Sequence, residues 1–391
     1  MSSHLYLFAP ENDMALAANK GHYTPTAVVT TFAHDVSLLP MWYAQGDEAV
    51  VLTQQQVDDK MQSTFDALGI TARAVTSSPD DVTMCSPWGW SDYMVNKLVR
   101  AGVDKTLLPD AATIDTLRTL SGRATSRTIM QALADEALGY PMPPLPEVLT
   151  TDADVEQYVT SHPLTMLKSP WSSSGRGITI VQGKYDDKTA RAAVGTIGKQ
   201  GYIMGEIMQR KVLDFAMEFY SDGTIVRFAG YSLFNTSVRG VYQGNLLLRD
   251  VEIENMLSQH IERSWLHNTR SAMERILTQL IAPHYRGYVG VDMLIYDANS
   301  NHFLLHPCIE LNLRMSMGMV SRIITDRYIA PGSSGTFGVD YFSHTPDLIE
   351  WSKSMTEDNP LSILNEKIVK GYLPLTPITN ATRYVAYIVV Q

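Results

Sequence analysis

Five polar residues alternate along one short run near the C-terminal end of the chain. In His306-Pro307-Cys308-Ile309-Glu310-Leu311-Asn312-Leu313-Arg314 they are His306, Cys308, Glu310, Asn312 and Arg314. A strand sends alternate side chains to one face, so a strand here crowds all five onto it. A carboxylate, an amide oxygen and a guanidinium on one face are costly to bury unless a cation and an anionic ligand satisfy them. Glu and Asn oxygens suit Mg²⁺, and Arg suits a phosphate oxygen. Taken alone, the run also describes an amphipathic strand with a polar outer face. Asp292 lies 18 residues before Glu310, inside the apolar Gly290-Val291-Asp292-Met293-Leu294. An acid in such a strand is unusual unless paired or metal-bound. A hairpin through 297–301 would bring Asp292, Glu310 and Asn312 to one sheet face, a set of oxygen donors for Mg²⁺. A bond to a neighbouring backbone group or Arg would account for Asp292 equally well.

A second group lies earlier. Lys168-Ser169-Pro170-Trp171-Ser172-Ser173-Ser174-Gly175-Arg176-Gly177 falls between two β-like runs, 164–168 and 178–181. Small residues let backbone N–H groups approach an anion and form a nest, and Lys168 ends the incoming strand beside it. The loop lacks the GxxxxGK[ST] pattern, and an ordinary surface hairpin has the same composition. Glu206 follows a strand at 202–204, with Met208 close behind, and Asp214 opens the next strand. By themselves these are two carboxylates at strand ends.

Composition narrows the classes. The 391 residues carry 31 Lys and Arg against 41 Asp and Glu, a net charge of −10, which speaks against general nucleic-acid binding. Two cysteines, Cys85 and Cys308, lie too far apart in sequence for a CxxC site, so structural zinc and a disulfide framework are not expected. The start lacks a signal-peptide pattern, and no apolar run has the length a membrane span needs, so a cytoplasmic chain without membrane contact is expected. The glycosylation-type triplets at Asn235 and Asn380 carry no meaning there.

Elements must position these residues. Strands are expected at 5–9, 48–52, 72–75 and 82–85, with helices at 15–18, 54–68 and 92–101. This alternation implies a small parallel α/β domain over 1–115. Helical spacing follows over 117–138, then a Pro-rich break at 141–146, and helices at 152–160 and 186–200. Hairpins are expected for 215–220 with 225–231, and for 288–296 with 302–312; helices fill much of 253–283, and 384–390 is a last strand. Met315, Met317 and Met319 are read as packing. Pro10-Glu11-Asn12-Asp13 and Pro87-Trp88-Gly89-Trp90-Ser91 each follow a strand, where α/β folds often hold ligands. Trp88 and Trp90 fit either a substrate or a sheet-end cover.

The ordered set resembles the ATP-grasp superfamily over about residues 115–330. The resemblance rests on Arg123, Lys168 with 172–177, Glu206, Asp292 and Glu310-Leu311-Asn312. It implies two α+β subdomains sandwiching ATP, at 116–200 (lid) and 201–391 (large, with a C-terminal extension), after the 1–115 domain. It further implies that Lys168 and Arg123 contact phosphates and that Ser172, Ser173, Ser174, Gly175, Arg176 and Gly177 close over them. Glu206 and Met208 would hold adenine, Asp214 ribose, and Asp292, Glu310 and Asn312 Mg²⁺. Two departures stand out: the early cation, usually Lys, is Arg123, and Gly290 occupies the position where many carboxylate ligases of the family place an Arg. Arg314 is then expected to serve the reacting phosphate, with Arg239 assisting. The implied reaction joins a small-molecule carboxylate to an amine, or less often a thiol, through an acylphosphate, with amino acids and peptides among the substrates to screen. A kinase using the same nucleotide site, a non-catalytic nucleotide binder and a protein without nucleotide are the rival readings; a homodimer is one assembly open to it.

Overall fold

The computed structural model describes residues 3–19, 23–46, 48–172, 177–236 and 242–391. The Ser173, Ser174, Gly175, Arg176 and Arg239 expectations lie outside the described residues.

Among the described residues the strands form three sheets. The first is parallel, ordered β3-β2-β1-β4, from β1 (Ser3–Leu7), β2 (Ala49–Leu52), β3 (Arg73–Val75) and β4 (Val82–Pro87). β2, AVVL, is buried throughout, as a parallel strand covered on both faces should be. Helices α1 (Asn12–Ala18), α2 (Ala27–Asp35), α3 (Asp59–Ala67) and α4 (Asp92–Arg100) accompany it. Asp58 caps α3 and Ser91 caps α4, each accepting from a backbone N–H. The expected helix at 54–68 is therefore shorter, beginning at its Asp cap.

The expected helix over 117–138 is two helices, α5 (Ala111–Leu120) and α6 (Ala124–Ala134). The break falls at Ser121-Gly122-Arg123 and leaves Arg123 at the head of α6.

The second sheet is antiparallel, ordered β5-β8-β6-β7, from β5 (Glu147–Leu149), β6 (Thr165–Lys168), β7 (Ile178–Val181) and β8 (Ile203–Ile207). With α7 (Asp152–Ser161) and α8 (Asp187–Gln200) it encloses its own small core around Leu149, Val159, Leu167 and Ile203. The expected division at residue 200 separates β8 from this sheet, in which β8 is an inner strand. Its pairing with β5 and β6 is long-range and gives no local signal.

The third sheet runs β13-β12-β9-β10-β11-β14-β17-β16-β15 with antiparallel neighbours. Its strands are β9 (Lys211–Asp222), β10 (Val226–Thr236), β11 (Tyr242–Leu247), β12 (Arg286–Asn299), β13 (His302–Asn312), β14 (Gly335–Tyr341), β15 (Ser362–Leu364), β16 (Lys367–Pro374) and β17 (Tyr384–Val390). Helices α9 (Asp250–Leu257), α10 (Arg263–Leu280), α11 (Met317–Tyr328) and α12 (Thr345–Asp358) complete the chain. On β9 and β12 the odd-numbered Phe215, Met217, Phe219, Val289, Val291 and Met293 pack into a core with α6, α9 and α10. The even-numbered residues therefore face the other way. A different core joins the first sheet to α11 and to β14, β16 and β17, so 1–115 shares its interior with the C-terminal strands. Met315 and Met319 are buried in that core, and Met317 packs against it.

No helix among the described residues is long and apolar enough to cross a membrane.

Candidate active site

Strand register assembles the acidic face. Gly290 lies opposite both Asn312 and Glu218, and Asp292 lies opposite both Glu310 and Ala216. Directly opposed residues in antiparallel strands share a face. Glu218, Asp292, Glu310 and Asn312 therefore stand together on the side turned away from the α6–α10 core. Gly290 and Ala216 leave the room between them. A Cβ on Gly290 would sit 3.0 Å from Glu218 Oε2 and 3.5 Å from the Asn312 Cβ. The Glu218 carboxylate lies over Gly290, so a side chain at that position would require the carboxylate to give way.

Burial raises the proton affinity of both inner acids. The Asp292 carboxyl is pushed up to about 7, by burial first and then by the Glu310 charge, against the Asn312 hydrogen bond. Burial likewise pushes Glu218 up to about 8, opposed by the Ser232 hydrogen bond and reinforced by Asp292. Ser232 Oγ donates to Glu218 Oε1 at 2.9 Å, and Ser316 Oγ lies 3.3 Å from the same oxygen. Sequence reasoning missed Glu218. Its signal was present: Phe215-Ala216-Met217-Glu218-Phe219 is an acid within an apolar strand, the same signature as Asp292.

Arg123 ties this face to the small sheet. Its Nη2 is 3.0 Å from Glu310 Oε2 and 3.4 Å from Ser172 Oγ, and its Nε donates to the Ser169 carbonyl at 3.1 Å. A guanidinium fork reaches both sides at once, which an ammonium does less well. The base of the Ser/Gly loop is closed by Ser169 N donating to the Gly177 carbonyl at 2.8 Å. Trp171 pins it to α5: its Nε1 donates to the Arg118 carbonyl at 3.0 Å, with the Arg118 guanidinium 3.7 Å from the ring. Lys168 is buried and ion-paired with Glu206.

The register of β12 on β13 shifts between Asp292 and Leu294, so that Leu294 pairs with His306. The chain around Pro307 thus bulges, and the expected single row of five breaks. Cys308 joins the apolar core with Leu305 and Leu311, where burial pushes its thiol up to about 12. That thiol is inert packing. His306 is buried, and burial lowers its pKa to about 4, with Lys168 lowering it further and Glu206 opposing; its Nδ1 has no hydrogen-bond partner among the described residues.

Arg314 leaves the end of β13 toward the first sheet. Its Nε and Nη2 reach Asp13 at 2.9 and 2.7 Å. Burial opposes its charge, yet the Asp13 carboxylate holds its pKa above the ordinary value. Asn12, Trp171, Ser172, Glu310, Asn312 and Arg314 line one narrow cleft, where all three parts of the chain meet. The buried Trp88 links the end of β1 to the residue after Arg314: its backbone N–H donates to the Leu7 carbonyl, and its own carbonyl accepts from Met315 N at 2.7 Å. Asp214 stands apart, bonded to Lys211 Nζ at 2.7 Å and to Thr236, one step further along the acidic face. Met208 is half-buried after β8, its N–H bonded to the Leu164 carbonyl at 3.1 Å.

The donor set fits a hard cation. The Asp292 and Glu310 carboxylates lie opposite each other, the Asn312 amide hydrogen-bonds to Asp292, and the carboxylate and amide groups of the set offer oxygen donors. No cluster of three His, Cys, Asp or Glu side chains poised for a metal occurs among the described residues. Mg²⁺ commonly uses one or two carboxylates and takes its remaining ligands from phosphates and water.

No protein-family model matches the chain, and no curated protein does. Solved structures do. A biotin carboxylase from Campylobacter jejuni, in a beta-gamma-ATP complex, superposes with a TM-score of 0.53 at 11% identity, covering 100% of this chain and 88% of that one. The biotin carboxylase domain dimer of the Hydrogenobacter thermophilus 2-oxoglutarate carboxylase, with MgADP, ADP and bicarbonate, gives 0.50 at 11% identity, covering 100% and 86%. An ADP complex of N5-carboxyaminoimidazole ribonucleotide synthetase gives 0.50 at 9% identity, covering 100% and 92%. These likenesses establish the fold: the chain has the ATP-grasp fold.

Proposed function

We propose that the chain is an ATP- and Mg²⁺-dependent ligase that joins a carboxylate to an amine, releasing ADP and phosphate. One observation carries the reading. Arg123 bridges the base of the Ser/Gly loop to Glu310, on a sheet face that also bears Asp292, Asn312 and Glu218. A cation at the head of α6 thus joins the loop of the small sheet to a carboxylate of the large one, and a metal-bound triphosphate needs cations and carboxylates brought together in this way.

Asp292, Glu310 and Asn312 would hold Mg²⁺, which when bound supplies charge neutralisation to the phosphates. Lys168 and Arg123 bind and orient the triphosphate, flanked by Ser172 and Gly177, and the stretch by Glu206 and Met208 takes the base, with Asp214 on the ribose. Lys168 and Arg314 enter with acidic partners, Glu206 and Asp13. They are therefore held in place before the nucleotide arrives, and share their charge with it. A carboxylate oxygen attacks the γ-phosphorus while the bond to ADP breaks. An amine then attacks the acyl carbon of the acylphosphate, phosphate leaves, and the nitrogen loses a proton. Arg314 stabilises the charge on the transferring phosphoryl group. No protein nucleophile is required, in keeping with the inert Cys308.

The test is a screen of carboxylate and amine pairs, amino acids and small peptides included, for ADP and phosphate release, with mass spectrometry of the products. A new amide with one ADP and one phosphate per bond supports the proposal. A phosphorylated product without free phosphate identifies a kinase instead.

A further inference from the structure

We propose that the turn after β1 seats an ammonium group, and, resting on the ligase reading, that this group belongs to the amine substrate. The first sheet changes winding direction between β1 and β4, and open α/β sheets hold ligands outside the carboxyl ends of the strands at such a point. Glu11-Asn12-Asp13 follows β1 there, and Trp88-Gly89 follows β4.

Glu11 is 1% exposed and Asn12 3%. One Glu11 oxygen accepts from Lys97 Nζ at 3.1 Å, while among the described residues Oε2 has no hydrogen-bond partner and Asn12 Oδ1 has none either. Buried acceptors are rarely left without donors. Asp13, next in sequence, shows the contrast, with both oxygens engaged by Arg314. Room for the Asn12 amide is built in: a Cβ on Gly89 would lie 2.6 Å from its Nδ2. Tyr23 and Tyr93 meet edge to face at 5.6 Å, and the Glu11 charge is felt by both. Asn12 lines the same cleft as Glu310, Asn312 and Arg314, so a group bonded to its amide oxygen would lie at the edge of the proposed phosphate site.

The missing partners are all donors. Among the described residues the nearby cations Lys97 and Arg314 are bound to the other Glu11 oxygen and to Asp13, so neither supplies the missing donors. An ammonium brings three donors, no acceptor, and a charge that Glu11 favours. Aromatic rings beside the carboxylate add to that preference.

The test measures thermal midpoints of the full chain with millimolar methylammonium and glycinamide. Tetramethylammonium serves as a cation without N–H groups, acetate as an anion, and Mg-ATP is run separately. Both primary ammoniums are expected to raise the midpoint, and both controls to leave it unchanged. Glu11→Gln is expected to weaken the response at least tenfold and Asn12→Asp to strengthen it, with far-UV circular dichroism verifying each fold. A response to acetate alone, no response to any probe, or equal responses in wild type and both variants overturns the inference. A Mg-ATP shift without an ammonium shift overturns this inference and leaves the ligase reading in place. An ammonium shift without a Mg-ATP shift sinks that reading and leaves the ammonium seat standing.

Discussion

Glu310 stands between two opposite influences, the Asp292 carboxylate across the strand pair and the Arg123 guanidinium at 3.0 Å. Glu310→Gln keeps its shape and removes the charge that both a cation and Arg123 need. Lys168→Ala removes the cation paired with Glu206. Each is expected to lower ATP turnover by about 10²-fold or more while the thermal midpoint moves only a few degrees; wild-type ADP release in both would refute the site. His306 supplies a pH signature. Its folded pKa is lowered from 6.5 to about 4, chiefly by burial. Below 6.5 the unfolded chain binds a proton that the folded chain refuses, so this group's stability is present above that pH and is lost as pH falls toward 4. The loss approaches about 1.4 kcal/mol per pH unit. Glu218 and Asp292, raised to about 8 and about 7, act in the opposite sense over this range, so the readout is the difference from wild type. His306→Asn should raise the urea midpoint at pH 4 relative to that at pH 6.5, and an unchanged difference would exclude the residue as a contributor. Single residues were legible where chemistry contradicted its setting, as with Asp292 in an apolar strand. Glu218 bore the same mark but belonged to no spaced motif, and only strand register brings it to the site.

At the scale of elements, β12 and β9 bring Gly290 under the Glu218 carboxylate. Gly290→Ala places a methyl 3.0 Å from Glu218 Oε2 and pushes that carboxylate toward Ser232 and Ser316. The acidic face shifts as a unit, and a roughly tenfold loss of kcat with the β-sheet circular dichroism unchanged is expected, since small misplacements at a reacting centre are costly. Unchanged kcat would show that this space is idle. The hairpin β12–β13 was readable from its alternation and its turn. Pro307, between His306 and Cys308, pointed to an edge or bulge there, while the size of the register shift was not legible. The β15–β16 hairpin went unread for another reason: Asn365 and Glu366 both take positive φ, 50° and 59°, so the turn carries no glycine to announce it. Helix α11 is buried at every position from Met319 to Thr325, including Arg322, and so lacks the one-sided stripe that marks a surface helix.

Across the whole molecule, the core under β1 and β2 also contains Phe337, Leu375, Ala386 and Ile388 from the far end of the chain. Two polar links fasten the same junction. Trp42 Nε1 donates to the Leu375 carbonyl at 2.7 Å, and the buried Asp35 carboxylate accepts from Arg383 N at 2.7 Å and Tyr384 N at 3.1 Å. No local pattern could reveal this, since the contacts span more than three hundred residues. The parallel sheet should therefore not open without β17. The small sheet, with a separate core, should open alone. Native-state hydrogen exchange tests both statements. Amides of Leu5 and Leu7 should exchange with one common free energy shared with Val385 and Ile388, while Leu167 in β6 exchanges at a lower one. Asp35→Ala strands two backbone donors and should lower the shared value by about 3 kcal/mol, leaving Leu167 unmoved. If β1 lost protection while β17 kept it, the two ends of the chain would be separate folding units, and the cleft between Asn12 and Arg314 would be an interface free to open rather than a fixed wall of the site.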